Sequence, residues 1–308
     1  MHRLQAKSAA DRKFPGKAKK LLPFLCVCLA NVVWGFSFLF TRVALLAGTP
    51  DLMLAHRFLI ATLVMLLLIA TGKQKVSFRG KPWKPALLLM AMQIAYYVFE
   101  SYGILYTNAT ISGMILAVVP VVTIGTGALF LKEYPTLRQG LFCVVPVIGV
   151  ILMSVSGSDL GVAQPLGLFF LLLTCLSSAF YNTANRRAGE DFTPFERTFL
   201  VLSCSAVIFA FTGLNSVGWN MEEFLLPFGR MDYLLPVLAL SILSSIVATM
   251  LFNFASTRMS VFQISSFGAL STLISVFAGV IFLREPMNFS MFLGAVLILV
   301  GIREVTRN

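Results

Sequence analysis

The sequence predicts an all-α integral membrane protein, with ten transmembrane helices arranged as two inverted five-helix repeats. Three observations predict it. The 308 residues are 58% hydrophobic and only 12% charged, with a mean hydropathy of +0.87. The apolar residues come in runs of about 20, the length that crosses ~30 Å of hydrocarbon at 1.5 Å per residue. Stretches of the second half also repeat stretches of the first.

The composition excludes most alternatives. A soluble domain carries about 25% charged residues, so this chain has about half the charge that a water-facing surface of its size needs. A transmembrane β-barrel would show alternating segments of about ten residues, and none is apparent. The net charge of +11 does not point to nucleic acid, because Lys and Arg cluster in short segments between apolar runs, the pattern that orients a membrane protein. The five cysteines, Cys26, Cys28, Cys143, Cys175 and Cys204, all lie inside apolar runs and read as small buried hydrophobes. No metal site and no cofactor is expected.

Helices are expected at 22–46, 52–71, 85–106, 109–131, 137–156, 165–184, 195–214, 233–254, 260–283 and 289–303. Pro and Gly punctuate the breaks, as at Gly48-Thr49-Pro50, Lys81-Pro82, Pro135 and Thr193-Pro194, because fixed dihedrals and missing donors end helices. The basic start followed by an apolar run resembles a signal peptide. That run reaches Leu46, too long for a signal core, and reads as the first helix. Residues 1–21 form a basic cytoplasmic tail, 22–156 a first repeat and 165–305 a second. The long loop 215–232 is expected to carry a short interfacial segment around Trp219. With the N-terminus in the cytoplasm, 20 of the 24 Lys and Arg fall inside and only Arg42, Arg57, Arg230 and Arg284 outside. Both termini are therefore expected to be cytoplasmic, in a multi-pass protein of the cell membrane.

Laying 109–150 over 261–302 places Phe130-Leu131-Lys132-Glu133 on Phe282-Leu283-Arg284-Glu285 and Gly149 on Gly301. A weaker match lays Trp34 through Arg42 over Ser178 through Arg186. Five helices per half is odd, so the halves insert in opposite orientation, an architecture used by many carriers.

These features resemble the drug/metabolite transporter superfamily, specifically its ten-helix members with two EamA domains. The residues that carry the resemblance are Trp34-Gly35 with Ser37, Arg57-Phe58, Tyr106-Thr107-Asn108-Ala109-Thr110, Pro120, the Phe-Leu-basic-Glu helix ends, and Gly149 with Gly301. Ser178, where the family commonly has Trp, and Thr272, opposite Pro120, depart from the pattern. The resemblance implies a secondary transporter that exports or exchanges small metabolites such as amino acids, by alternating access driven by gradients and not by ATP.

Glu100 is the most informative single residue. It lies inside the third helix, and an ionisable group at membrane depth costs at least ~2.5–3.5 kcal/mol unless it faces a cavity or a partner. Gln93, Tyr96, Tyr97 and Glu100 share one helix face. His56 and Arg57 lie at a similar depth, so both are candidates for coupling or for an ion pair with Glu100. Glu100 is expected within salt-bridge or single-water reach of Arg57 or His56, with Arg57 the expected partner through bidentate geometry, while Arg42 is expected to snorkel to the interface. The candidate substrate-binding lining is Trp34, Ser37, Tyr97, Glu100, Tyr181, Asn253 and Gln263. The structural alternative for each is a helix-packing hydrogen bond.

The rival functions are an integral-membrane enzyme and a receptor or scaffold without turnover. With only His2 and His56 and few carboxylates, no catalytic residue is assigned, since a nucleophile–base or metal cluster is hard to build. Symmetric halves serve no purpose in a receptor. The expected partners are a small-molecule solute and the lipid bilayer, without nucleic acid. The sequence leaves open the oligomeric state, a homodimer included.

Overall fold

The computed structural model describes residues 16–107, 112, 115–116, 119–132, 134–156, 164–282 and 289–306. Helices α1 (Gly16–Leu45), α2 (Pro50–Ala70), α3 (Trp83–Leu105), α4 (Val119–Leu131) and α5 (Leu137–Ser156) come from the first half. Helices α6 (Pro165–Ala188), α7 (Pro194–Ser216), α8 (Met231–Ser256), α9 (Val261–Phe282, broken at Phe267) and α10 (Phe289–Thr306) come from the second. Among the described residues no strand occurs, and seven helices, α1, α2, α3, α6, α7, α8 and α9, are long and apolar enough to cross a membrane. The Asn108-Ala109-Thr110 segment, Glu133 and the Arg284-Glu285 pair lie outside the described residues.

Local chemistry sets the helix starts. Thr49 caps α2, its Oγ1 accepting from the Leu52 amide, and Pro50 fills the first turn, where a missing N–H costs nothing. Thr193 and Glu196 form a reciprocal capping box at α7, and Ser260 and Gln263 form another at α9. The first helix begins earlier than expected, at Gly16, with Pro23 inside it. The long loop forms a single helical turn at Met221–Leu225 and a 3-10 turn at Leu226–Gly229. Trp219 just before them has φ of 63°.

The largest departure from a regular helix is in α8. Its middle, Leu240–Ala248, is π-helical, following Pro236. Proline removes one ladder bond, and side-chain hydroxyls compete for carbonyls further on. Ser241 Oγ donates to Val237 O at 2.7 Å, and Thr249 Oγ1 donates to Ser244 O, five residues back, at 3.3 Å. Wide turns of this kind inside α-helices recur at functional sites.

The interior holds many polar residues within an apolar core, and the outer surface is apolar. Buried polar residues include Asn31, Arg57, Glu100, Arg197 and Ser245, whereas Leu67, Leu129, Val207 and Phe211 are all at least 60% exposed. Water could not stabilise that arrangement, but lipid can. The main helix pairs are α5 on α10, α2 on α7, α3 on α6, α1 on α8, α1 on α9 and α4 on α6. Adding five to each helix number, cyclically, maps this set onto itself. At α1 on α9, a Cβ built on Gly35 would lie 2.8 Å from Ser271 O, so only glycine permits the approach. Ala179 is the counterpart of Gly35 in the Trp34–Arg42 match, and its carbonyl accepts from Thr126 Oγ1 at α4 on α6.

Candidate functional site

A cavity with about 790 Å³ of space between protein atoms, part of it continuous with the exterior, lies among α1, α2, α3, α4, α6, α8 and α9. Both halves contribute, and among the described residues none of α5, α7 or α10 lines it.

One side of the cavity is built on Arg57, which is 2% exposed. Its Nε donates to Ser245 Oγ at 2.8 Å, and its Nη2 donates to Ser244 Oγ at 3.1 Å. Both serines lie in the π-helical part of α8. The guanidinium carbon lies 4.8 Å from the ring centre of Tyr97 and 5.4 Å from that of Phe58, a stacking geometry that suits Arg better than Lys. Trp34 Nε1 donates to Ser244 O at 3.3 Å, and its ring packs 4.9 Å from Phe252. The π segment is therefore tied to α1 and α2 at the cavity wall.

Glu100 on α3 also lines the cavity. Its Oε1 accepts from Tyr96 OH at 2.7 Å. No nitrogen of Arg57 or His56 lies within 4.0 Å of the Glu100 carboxylate, so of the expected salt-bridge or single-water contact no direct ion pair is formed. Arg57 is turned to the α8 hydroxyls, and the guanidinium and the Glu100 carboxyl group line the same cavity with neutral hydrogen-bond partners.

Of the residues expected from sequence, Trp34, Ser37, Arg57, Tyr97, Glu100 and Tyr181 line the cavity. His56, Asn253 and Gln263 are not among its lining residues. His56 points the other way on α2, its Nδ1 2.7 Å from Tyr233 OH, among Phe224 and Phe228. Consecutive helix residues diverge by about 100°, which separates it from Arg57. Asn253 Nδ2 donates to Thr198 Oγ1 on α7 at 2.9 Å, so its amide serves helix packing. Gln263 closes its capping box, Oε1 accepting from Ser260 N at 3.2 Å. Arg42 is half-buried in the last turn of α1.

Sequence reasoning missed Asn31, Asn182, Ser244 and Ser265 in the lining. It also counted Arg197 among the segment charges, yet Arg197 is 0% exposed. Its Nη1 donates to Asn185 O at 2.9 Å, Asn185 Oδ1 at 2.6 Å and Ser256 Oγ at 2.9 Å, and its Nη2 donates to Asn253 O at 2.5 Å. It clamps the C-terminal ends of α6 and α8, whose dipoles favour a cation. The Thr193-to-Glu196 capping pattern, which places residue 197 within the helix, was the available signal. Beside it, Glu196 accepts from Ser77 N at 2.8 Å and from Lys81 Nζ at 2.5 Å, which straps the loop between α2 and α3 to α7.

The EamA-like transporter family pattern matches this chain twice, over residues 21–155 and 165–306. The chain is 33% identical over 283 residues to the uncharacterized transporter YcxC of Bacillus subtilis (strain 168), a match covering 91% of each. An uncharacterized transporter of Archaeoglobus fulgidus is 21% identical over 287 residues, covering 92% of this chain and 98% of that one. A protein of known crystal structure matches at a TM-score of 0.73 and 18% identity, over 94% of this chain and 96% of that one, a likeness of fold. The two family matches and the relatives of nearly equal length show that this chain belongs to the EamA-like transporter family and is a multi-pass membrane transporter, not an enzyme.

Proposed function

We propose that the chain is a secondary transporter that exports or exchanges small zwitterionic metabolites, amino acids foremost, by alternating access of two inverted five-helix halves. One observation carries the substrate class. Arg57 and Glu100 face one cavity with opposite charges, and each is hydrogen-bonded only to neutral hydroxyls. Charges at membrane depth are costly when uncompensated, and a ligand with both an anionic and a cationic group compensates both at once. The aromatic and polar lining from Trp34, Tyr97 and Tyr181 offers contact for the remainder.

The inverted arrangement is supported by the way helix packing maps onto itself between halves and by the two family matches. In this reading α4, α5 and α10 complete a set of ten spans, and residues 22–156 and 165–305 are the exchanging units. The excess of Lys and Arg on one side supports cytoplasmic termini in the cell membrane.

Counterflow in proteoliposomes tests the reading. Vesicles loaded with a mixture of the twenty standard L-amino acids should take up at least one of them in labelled form, and Arg57→Met and Glu100→Gln should each slow that uptake at least tenfold. Uptake of none of the twenty, by protein that retains its melting temperature, rejects the amino-acid reading.

A further inference from the structure

The way Arg57 is held carries more information than its presence. A guanidinium has five N–H donors in a fixed planar fork. The Nε and one Nη2 hydrogen are taken by Ser245 and Ser244, consecutive residues of the α8 π segment. Its guanidinium carbon lies over the Tyr97 and Phe58 rings, 4.8 and 5.4 Å from their centres. That leaves the Nη1/Nη2 end of the fork, two parallel N–H vectors, as the donor pair that no described residue accepts from, in a residue that lines the cavity. Two parallel N–H groups match the two oxygens of a carboxylate.

The wall that holds Arg57 is itself held. Ser244 O accepts from Trp34 Nε1 and from Thr249 Oγ1, so the position of the serine pair is set from α1 and from the next turn of α8. Such support fixes the orientation of a binding group before the ligand arrives, and it lowers the ordering cost of binding.

We propose that Ser244 and Ser245 are positioning residues that aim the Nη1/Nη2 end of Arg57 into the cavity, where it meets a planar carboxylate of the transported molecule end-on. The proposal rests on the transporter reading above and adds the orientation of the ligand, with its carboxylate toward α2 and α8. An anionic group of another shape, tetrahedral or diffuse, matches two parallel donors less well. Preference for a carboxylate over its amide is therefore set by the serine pair acting through Arg57.

The test uses the full chain in lipid nanodiscs and reads apparent affinity from the ligand dependence of its melting temperature. Three probe sets are compared: the L-amino acids with uncharged side chains, their N-acetyl derivatives, which keep only the carboxylate, and their amides, which keep only the amine. Wild-type protein should bind amino acids best and N-acetyl derivatives measurably. Ser244→Ala/Ser245→Ala should weaken binding of both carboxylate sets ten- to a hundredfold and leave the amides unchanged. Ser244→Thr/Ser245→Thr, which keeps both hydroxyls, should restore most of the loss. A merely structural role would weaken all three sets together, and that result overturns the proposal. It is also overturned if no carboxylate probe binds, or if the alanine pair keeps the wild-type preference for carboxylate over amide. Carboxylate-only probes that bind as tightly as amino acids would instead reject the zwitterion reading and leave the aimed Arg57 standing.

Discussion

Replacing Arg197 with Met removes a clamp on two helix ends and leaves a side chain that fits an apolar interior. The four bonds of the guanidinium would amount to about 6–12 kcal/mol at ~1.5–3 kcal/mol per charged hydrogen bond. Two effects reduce that figure. Asn185 O also accepts from Gly189 N at 3.0 Å, and Asn253 O from Ser256 Oγ at 2.9 Å, so neither carbonyl is orphaned. Removing the buried charge also recovers its desolvation cost. The net loss is then about 2–4 kcal/mol, which at roughly 2–4 °C per kcal/mol for a large domain lowers the melting temperature by about 4–16 °C. Arg197→Lys should lose more than half as much, because one ammonium cannot reach the Asn185, Ser256 and Asn253 acceptors together. Thermal melting of both variants in nanodiscs measures this. A methionine variant that melts within about 2 °C of wild type refutes the reasoning and makes the buried arginine a neutral packing element.

Glu100→Gln keeps size and hydrogen bonding but removes titration; if Glu100 couples transport to protons, the variant still exchanges substrate yet loses its response to an imposed pH gradient, and retained gradient-driven uptake counts against coupling. Gly35→Val drives Cβ against Ser271 O, 2.8 Å away, and Ile274, and should cost at least ~2 kcal/mol by overpacking, seen as a lower melting temperature and reduced yield of folded protein. Tyr233→Phe deletes the 2.7 Å contact with buried His56 and should cost about 1–3 kcal/mol, with substrate affinity unchanged because neither residue lines the cavity. A cysteine placed in 72–84 should resist an impermeant thiol reagent added outside intact cells, while one in 217–230 should react; the reverse labelling would overturn the orientation.

The helices were legible because apolar run length and Pro or Gly punctuation are local signals, and the observed starts at Pro50, Pro165 and Pro194 follow them closely. The depth of Arg57 and Glu100 was legible for the same reason, since residue count along a helix gives height. Their partners were not. Height does not fix rotation, and rotation is decided by packing among seven helices, so His56 and Arg57, adjacent in sequence, end in different environments. The π segment was illegible because Leu240–Ala248 reads as an ordinary apolar stretch with serines. Only the hydroxyl and guanidinium bonds around Ser244 reveal what those serines do. Gln263 misled for a related reason, because a polar residue near a helix start can cap its own helix as readily as face a cavity.

The packing frame is symmetric between the halves, but the chemistry at its centre is not. Helices α3 and α8 occupy corresponding places, α3 against α6 and α8 against α1. Yet α3 presents a carboxylate, Glu100, while α8 presents two hydroxyls that hold an arginine of α2. A ligand at the centre of a chemically symmetric site would meet the same groups at either end and have no preferred orientation. On the proposed reading, Arg57 between α2 and α8 accepts the anionic end and Glu100 on α3 the cationic end, so a ligand with unlike ends would bind one way round. A ligand shifts a conformational equilibrium only through differential affinity for its states. In the proposed alternating-access cycle, the nearly symmetric frame keeps the two states close in energy, while the asymmetric site fixes which way round the ligand sits.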